Sequence, residues 1–209
     1  MTPIATATAA TPQLTRRRCL GLAAAAAASA WLPAHAGHEH HEVAPGLRRS
    51  TADYPLPEAV LVRDDGKRVP LAGELNDGRL VMLNFVFTTC TAICPVTSQV
   101  FAETQARLRG QLQHVHMVSI SIDPENDTPA QLREYAKRFG AGPQWQHYTG
   151  SSATSVAVQK AFATYRGDKM NHQPVTLLRR AVGQPWVRLE GFVSPSELAG
   201  EVKALLGAA

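Results

Sequence analysis

Short apolar runs, each ended by a turn signal, alternate along this chain with stretches in which apolar residues recur every three or four positions. Leu80 to Phe87 (LVMLNFVF) is almost continuously apolar, the pattern of a central strand covered on both faces. Val115 to Ile122 (VHMVSISI) is a second strand, and Trp145 to Tyr148 a short third. A helix is predicted from about Pro95 to Leu108, with proline in its first turn and Gly110 as its stop. Another runs from Pro129 to Phe139, with Asp127 as the capping oxygen and Gly140 ending it. Ser151 or Ser152 can cap a helix that reaches Tyr165 before Gly167. Pro174 to Leu178 and Trp186 to Leu189, with Gly183 between them, make an antiparallel pair. Ser194-Pro195 opens a last helix, with Glu197 early and Lys203 late, as the helix dipole favours. Ahead of these, Ala59 to Val62, a turn at Asp65-Gly66 and Lys67 to Leu71 read as a hairpin. This order predicts an α/β fold: a mostly parallel central sheet flanked by helices, with an N-terminal hairpin.

The first thirty-six residues differ from the rest. They hold no Asp or Glu, and Arg16, Arg17 and Arg18 stand before an apolar, Ala-rich run from Cys19 to Leu32. Ala34-His35-Ala36 then offers small residues where a signal peptidase reads, so residues 1–36 read as a secretory signal peptide. Thr15 to Leu20 also resembles a twin-arginine export signal, with Cys19 where that pattern prefers Phe. The alternatives are an ordinary export signal and a segment retained uncleaved as a membrane anchor. Residues 37–54 read as a flexible His-rich leader, and residues 55–209 as one domain. Removing residues 1–36 takes away three arginines and no acids, so the formal charge falls from +4 to +1. The basic pI thus belongs to the targeting segment and argues for no nucleic acid partner.

Export leaves two cysteines, Cys90 and Cys94, in an oxidising compartment. Two cysteines this close, with no others, make a local pair and no disulfide framework. They lie between a buried strand and the following helix, the crevice where open α/β sheets bind ligands. Free backbone N–H groups and the positive end of a helix dipole lower a thiol pKa there. A thioredoxin-type redox pair has two intervening residues; here Thr91, Ala92 and Ile93 intervene. The longer loop, expected to run from Cys90 to Cys94 with helix beginning near Pro95, suits two thiolates converging on a soft ion such as Cu(I). A plain structural disulfide is the simpler reading of the same pair.

LNFVFTTCTAICPVTSQ resembles the signature of the Sco/SenC copper proteins, an apolar strand ending in Phe, a Thr, then Cys-x-x-x-Cys-Pro. Ser119 to Pro129 (SISIDPENDTP) is similar to that family's second block, and Asn171-His172 to its third, which supplies a distal histidine. The three blocks come in the family's order and span roughly Tyr54 to the C-terminus. Two positions depart from the pattern: Thr91 stands where the family often has Pro, and Asn171 where it commonly has Asp. The resemblance implies a thioredoxin-like fold, a copper site of Cys90, Cys94 and His172 for Cu(I) or Cu(II), and a periplasmic location. It implies delivery to the copper-receiving subunit of cytochrome c oxidase, with a periplasmic thiol reductant keeping the cysteines reduced. Contact with the membrane would come only through an uncleaved signal.

His172 precedes Gln173-Pro174-Val175, which resembles the thioredoxin-superfamily strand opening with a cis-proline that faces the cysteines. His114 and His116 share one face of a strand by period and read as structural or solvated, as does His147. His38, His40 and His41 are either a solubilising leader or a metal-capture tract. Asp123 and Asp127 can each hold the loop beside the site or cap a helix; capping is taken for Asp127, and Asp123 is left open. Two functions of different class therefore compete: a copper carrier using all three ligands, and a thiol-disulfide oxidoreductase in which Cys90 and Cys94 form the redox-active pair and His172 is dispensable. A peroxidase is disfavoured, because no single activated cysteine sits in a Pro-rich peroxidatic loop.

Overall fold

The computed structural model describes residues 46–207. Residues 1–36, expected to be a signal peptide, and the His38, His40 and His41 tract lie outside the described residues. Fifteen elements follow in order, thirteen of them strands or α-helices. They are β1 (Arg48–Ala52), β2 (Val60–Arg63), β3 (Arg68–Pro70), α1 (Leu71–Leu75), β4 (Leu80–Val86), α2 (Ile93–Arg107), β5 (Val115–Ser121) and α3 (Pro129–Arg138). After them come β6 (Trp145–Thr149), α4 (Ser152–Ala161), β7 (Val175–Arg179), β8 (Trp186–Glu190) and α5 (Pro195–Gly207). Two 3-10 turns, Leu112–His114 and Lys169–Asn171, complete the set.

One sheet of eight strands runs β1-β8-β7-β4-β5-β6-β2-β3. The expected parallel order is confined to β4, β5 and β6; β7, β8, β1, β2 and β3 join antiparallel, so the sheet is mixed. The two parallel steps are those bridged by helices α2 and α3, whereas β2–β3 and β7–β8 are hairpins and β7 crosses back after α4 to pair antiparallel with β4. Strand β1 lies inside the segment expected to be a flexible leader. Its sequence, RRSTA, carries no apolar face, and it is held by its ladder to β8 and by Arg48 and Arg49 pairing with Glu190 and Glu201.

All seven residues of β4 are buried, and their alternation divides the core. Val81, Leu83 and Phe85 join Val158, Phe162, Trp186 and α1's Leu71 and Leu75 on one face. Leu80 and Met82 meet Phe101 of α2, Trp145, and Leu198 and Val202 of α5 on the other. At roughly 1.5–3 kcal/mol for each fully buried large apolar side chain, these two layers supply the main favourable contribution to folding. At the β2–β3 turn Gly66 takes φ +89°, a left-handed conformation that suits glycine, and its N–H donates to the Arg63 carbonyl at 2.8 Å. The carboxyl end of β4 then delivers the chain to a third, small cluster of Val86, Phe87, Cys90 and Cys94.

Candidate metal centre

Helix α2 begins two residues earlier than expected. Ile93 and Cys94 are already helical, and Pro95 occupies the third position, where its missing N–H is still one of those with no intrahelical acceptor. Cys94 is thus fixed on a helix, and the loop proper is Thr88 to Ala92. Ala92 at the cap has no side-chain acceptor. The Cys90 sulfur takes that role, accepting from the Cys94 N–H at 3.4 Å. Cys94 Sγ in turn accepts from the Phe87 N–H at 3.4 Å. Both cysteines are free thiols.

The two thiols differ in chemistry. Cys90 keeps 9% of its surface and Cys94 none. Burial works against ionisation of Cys90, but the N–H groups of Cys94, Ala92 and Ile93 outweigh it, and its pKa lies below the ordinary value. Burial drives the Cys94 thiol the other way, well above its ordinary range, with only the Phe87 N–H in partial opposition.

His172 comes in from the turn Lys169–Asn171, itself capped by the Asp168 carboxylate accepting from the Met170 N–H at 2.9 Å. Its Nδ1 lies 2.8 Å from the Lys169 carbonyl. A carbonyl only accepts, so the proton sits on Nδ1 and the Nε2 lone pair is left to face Cys94 Sγ at 3.4 Å. Burial lowers the His172 pKa, against the Lys169 carbonyl, which keeps the imidazole neutral. The ring also meets the edge of Phe87, centroids 5.1 Å apart. Among the described residues no peptide bond is cis, so the expected cis-Pro174 is corrected: the approach of His172 comes from the 3-10 turn and Phe87.

The three donor atoms of Cys90, Cys94 and His172 lie within 4.8 Å of one another, the sole such cluster of three or more His, Cys, Asp or Glu ligands among the described residues. Donors at roughly 2.0–2.3 Å from one ion stand about 3.5–4 Å apart in a trigonal arrangement, so a first-row ion fits with small adjustments. Two sulfurs and one imidazole are the donor set that soft copper prefers.

Sequence reasoning missed the frame around these ligands. Asp127 was expected to cap α3, but Thr128 does so, accepting from the Gln131 N–H. The fully buried Asp127 carboxylate instead accepts from the Thr88 N–H at 3.0 Å, the Thr88 hydroxyl at 2.6 Å and the Ser121 hydroxyl at 2.5 Å. It ties the start of the cysteine loop to the end of β5. Asp123, left open above, pairs with Lys169. The α2 residue Ser98, one turn beyond Cys94, shares a 2.8 Å hydrogen bond with the Tyr135 hydroxyl. The other histidines stand apart. His114 lies in the 3-10 turn before β5 and is exposed, so it does not share a strand face with the buried His116, whose Nδ1 faces the Glu74 carbonyl and Asp77. His147 is fully buried and stacks on Trp145, with neither ring nitrogen bonded.

A mixed sheet between helical layers, with a dithiol and an imidazole at the carboxyl end of its central strand, defines a thioredoxin-like protein with a candidate metal centre. The SCO1/SenC family model matches residues 59–207, and the chain belongs to that family. A SCO1 homolog of Bacillus subtilis is 31% identical over 105 residues, 50% of this chain and 53% of that protein. A mitochondrial SCO1 homolog of Arabidopsis thaliana is 36% identical over 106 residues, 50% of this chain and 30% of that protein. The chain therefore spans about half or less of the length of these curated relatives. Among solved structures, Arabidopsis thaliana ScoI with copper bound has a TM-score of 0.61 at 28% identity, covering 72% of this chain and 97% of that one. BsSco, described as a Sco-family cytochrome c oxidase assembly protein with a disulfide switch, has a TM-score of 0.62 at 26% identity, covering 75% and 95%. No helix among the described residues is long and apolar enough to cross a membrane.

Proposed function

We propose that this protein is an exported, periplasmic copper carrier that binds one copper ion through Cys90, Cys94 and His172. We further propose that it passes the ion by ligand exchange to the copper-receiving subunit of a cytochrome c oxidase. The observation that carries the reading is the convergence of two sulfurs and one imidazole nitrogen within 4.8 Å. Family membership supports it, as does copper in the related ScoI. The two thiolates suit Cu(I), and the neutral imidazole adds the nitrogen donor that Cu(II) favours. Cys90, held toward the thiolate, offers the first sulfur; Cys94 gives up its proton only as the ion displaces it, so loading releases protons. The recipient, the location and the reducing partner rest on the family.

The test is copper stoichiometry on the reduced protein and on Cys94→Ser and His172→Ala. The expected result is one copper in the wild type and loss of Cu(II) from both variants. Indifference to His172→Ala sinks the ligand assignment. It would favour the second reading, a thiol-disulfide oxidoreductase, for which the contrast between a depressed Cys90 and an elevated Cys94 is the specific support.

A further inference from the structure

Lys169 is held at both ends. Its carbonyl accepts from His172 Nδ1 and, at 3.2 Å, from the His172 backbone N–H. Its ammonium group reaches forty-six residues back in sequence to Asp123 Oδ2 at 2.6 Å, lying over the Phe87 ring at 5.6 Å from the centroid on the way. The Asp123 side chain is 6% exposed and the Lys169 side chain 34%. Asp123 is fixed in turn: the Asn126 amide donates to both of its carboxylate oxygens at 3.0 Å, and its own N–H donates to the Ser121 hydroxyl, which is bonded to Asp127. A continuous set of bonds thus runs from the base of the cysteine loop, through Asp127, Ser121 and Asp123, to the turn that presents His172. Nothing else with a charge ties that turn to the sheet among the described residues: Asp168 bonds within the turn itself.

We infer that the Lys169–Asp123 ion pair is a positioning device for His172, setting the distance of its Nε2 from the two sulfurs and so the retention of Cu(II). The inference rests on the copper reading above. A cleft of about 580 Å³ opens beside the pair, lined by Asp123, Lys169 and His172 together with Glu125, Gln159 and Arg166. The pair therefore lies where a docking molecule can reach it. Breaking it at Lys169 frees the 3-10 turn and leaves the Asp123–Ser121–Asp127 bonds to the cysteine loop in place, so the effect falls on the imidazole. The two thiolates continue to hold Cu(I).

The experiment compares the wild type, Lys169→Met, Lys169→Arg, Asp123→Asn and His172→Ala, all as the full reduced chain. Three quantities are read: Cu(II) affinity by chelator competition, the sulfur-to-copper charge-transfer spectrum, and Cu(I) affinity. Lys169→Met keeps the apolar stem over Phe87 and removes the charge. It is expected to weaken Cu(II) about ten- to a hundredfold, the usual scale for groups that orient a metal-ligating histidine. Its spectrum should move toward that of His172→Ala, with Cu(I) affinity at the wild-type level and Lys169→Arg restoring both Cu(II) readouts. Asp123→Asn, which also sets an amide donor against the Asn126 amide, should weaken Cu(II) at least as much as Lys169→Met. A Lys169→Met protein with the wild-type Cu(II) affinity and spectrum overturns the inference, even if its melting temperature falls, since a merely structural pair would lower stability alone. A Lys169→Arg protein as impaired as Lys169→Met also overturns it. If His172→Ala itself leaves Cu(II) unchanged, the ligand assignment fails first, and the two failures are told apart by that control.

Discussion

Asp127 gives the sharpest test of how the cysteine loop is held. Its carboxylate is fully buried and accepts three hydrogen bonds, two from Thr88 and one from Ser121. Asp127→Ala removes all three and strands the Thr88 N–H, which sits two residues before Cys90. At about 1 kcal/mol for each of the three lost bonds plus up to about 2 kcal/mol for the unpaired Thr88 donor, the loss is about 3–5 kcal/mol. Asp127→Asn keeps an oxygen for both Thr88 donors and sets an amide opposite Ser121, whose hydroxyl can turn to accept; that change costs about 1 kcal/mol or less. Urea unfolding of the reduced protein measures both. With a slope near 2 kcal/mol/M, the alanine variant's midpoint should fall by roughly 1.5–2.5 M. The two variants also separate by pH. Burial, against the bonds from Ser121 and Thr88, raises the Asp127 pKa above its ordinary value. The folded state therefore binds the proton more readily than the unfolded one. Its contribution to stability is full below the unfolded pKa and fades as pH rises through the folded one. Relative to Asp127→Asn, the wild type should thus gain stability as the pH is lowered through that window. An alanine variant within 1 kcal/mol of wild type refutes the anchoring role.

Three further outcomes are expected. Iodoacetamide at neutral pH should alkylate Cys90 well ahead of Cys94, because Cys90 is partly accessible and its thiol is depressed while Cys94 is enclosed and elevated; peptide mass spectrometry reads the order, and equal labelling contradicts it. Apparent Cu(I) affinity should climb with pH across the neutral range, by about tenfold per unit for each proton released, and Cys94→Ser, which keeps Cys90 and His172, should flatten that slope in a chelator competition. Burial drives the His147 pKa down to about 4, so the unfolded chain binds the proton first and stability is lost as pH falls from the ordinary histidine value toward 4. His147→Phe should abolish up to about 3 kcal/mol of that acid sensitivity, measured as the difference between unfolding curves at pH 7 and pH 4.5.

The elements most legible in the sequence were those with a single demand on them. Leu80 to Val86 must be a central strand because every residue is apolar or pairs internally, as Asn84 does with Ser119 at 2.7 Å. Cys90 and Cys94 were legible from spacing, and His172 only through the resemblance, since its own neighbourhood is polar and irregular. The start of α2 is not legible because Pro95 favours the first helical position yet is tolerated at the third, where its N–H is also unneeded. Strand β1 was missed because an edge strand with both faces exposed has no hydrophobic period, and what holds it is backbone pairing with β8 some 140 residues away. A loop-holding role is open to Asp123 and Asp127 from the sequence, but their partners and the whole role of Lys169 are not legible: each acts across a long sequence separation, and a charged side chain in a loop carries no sign of its partner.

The start of α2 gives the two sulfurs unequal freedom. Cys94 rides on a fifteen-residue helix whose Phe101 is locked into the core, while Cys90 hangs on a loop whose Thr89, Thr91 and Ala92 face solvent. Any event that changes the bond between them, whether a disulfide closing or an ion leaving, is a vice with one fixed jaw, and the travel falls on the Cys90 side. A change in the pair would then fall on the short exposed arc of Thr89, Thr91 and Ala92. On the function proposed above, that arc is the part of the site a partner would meet, with the sheet and helices left in place.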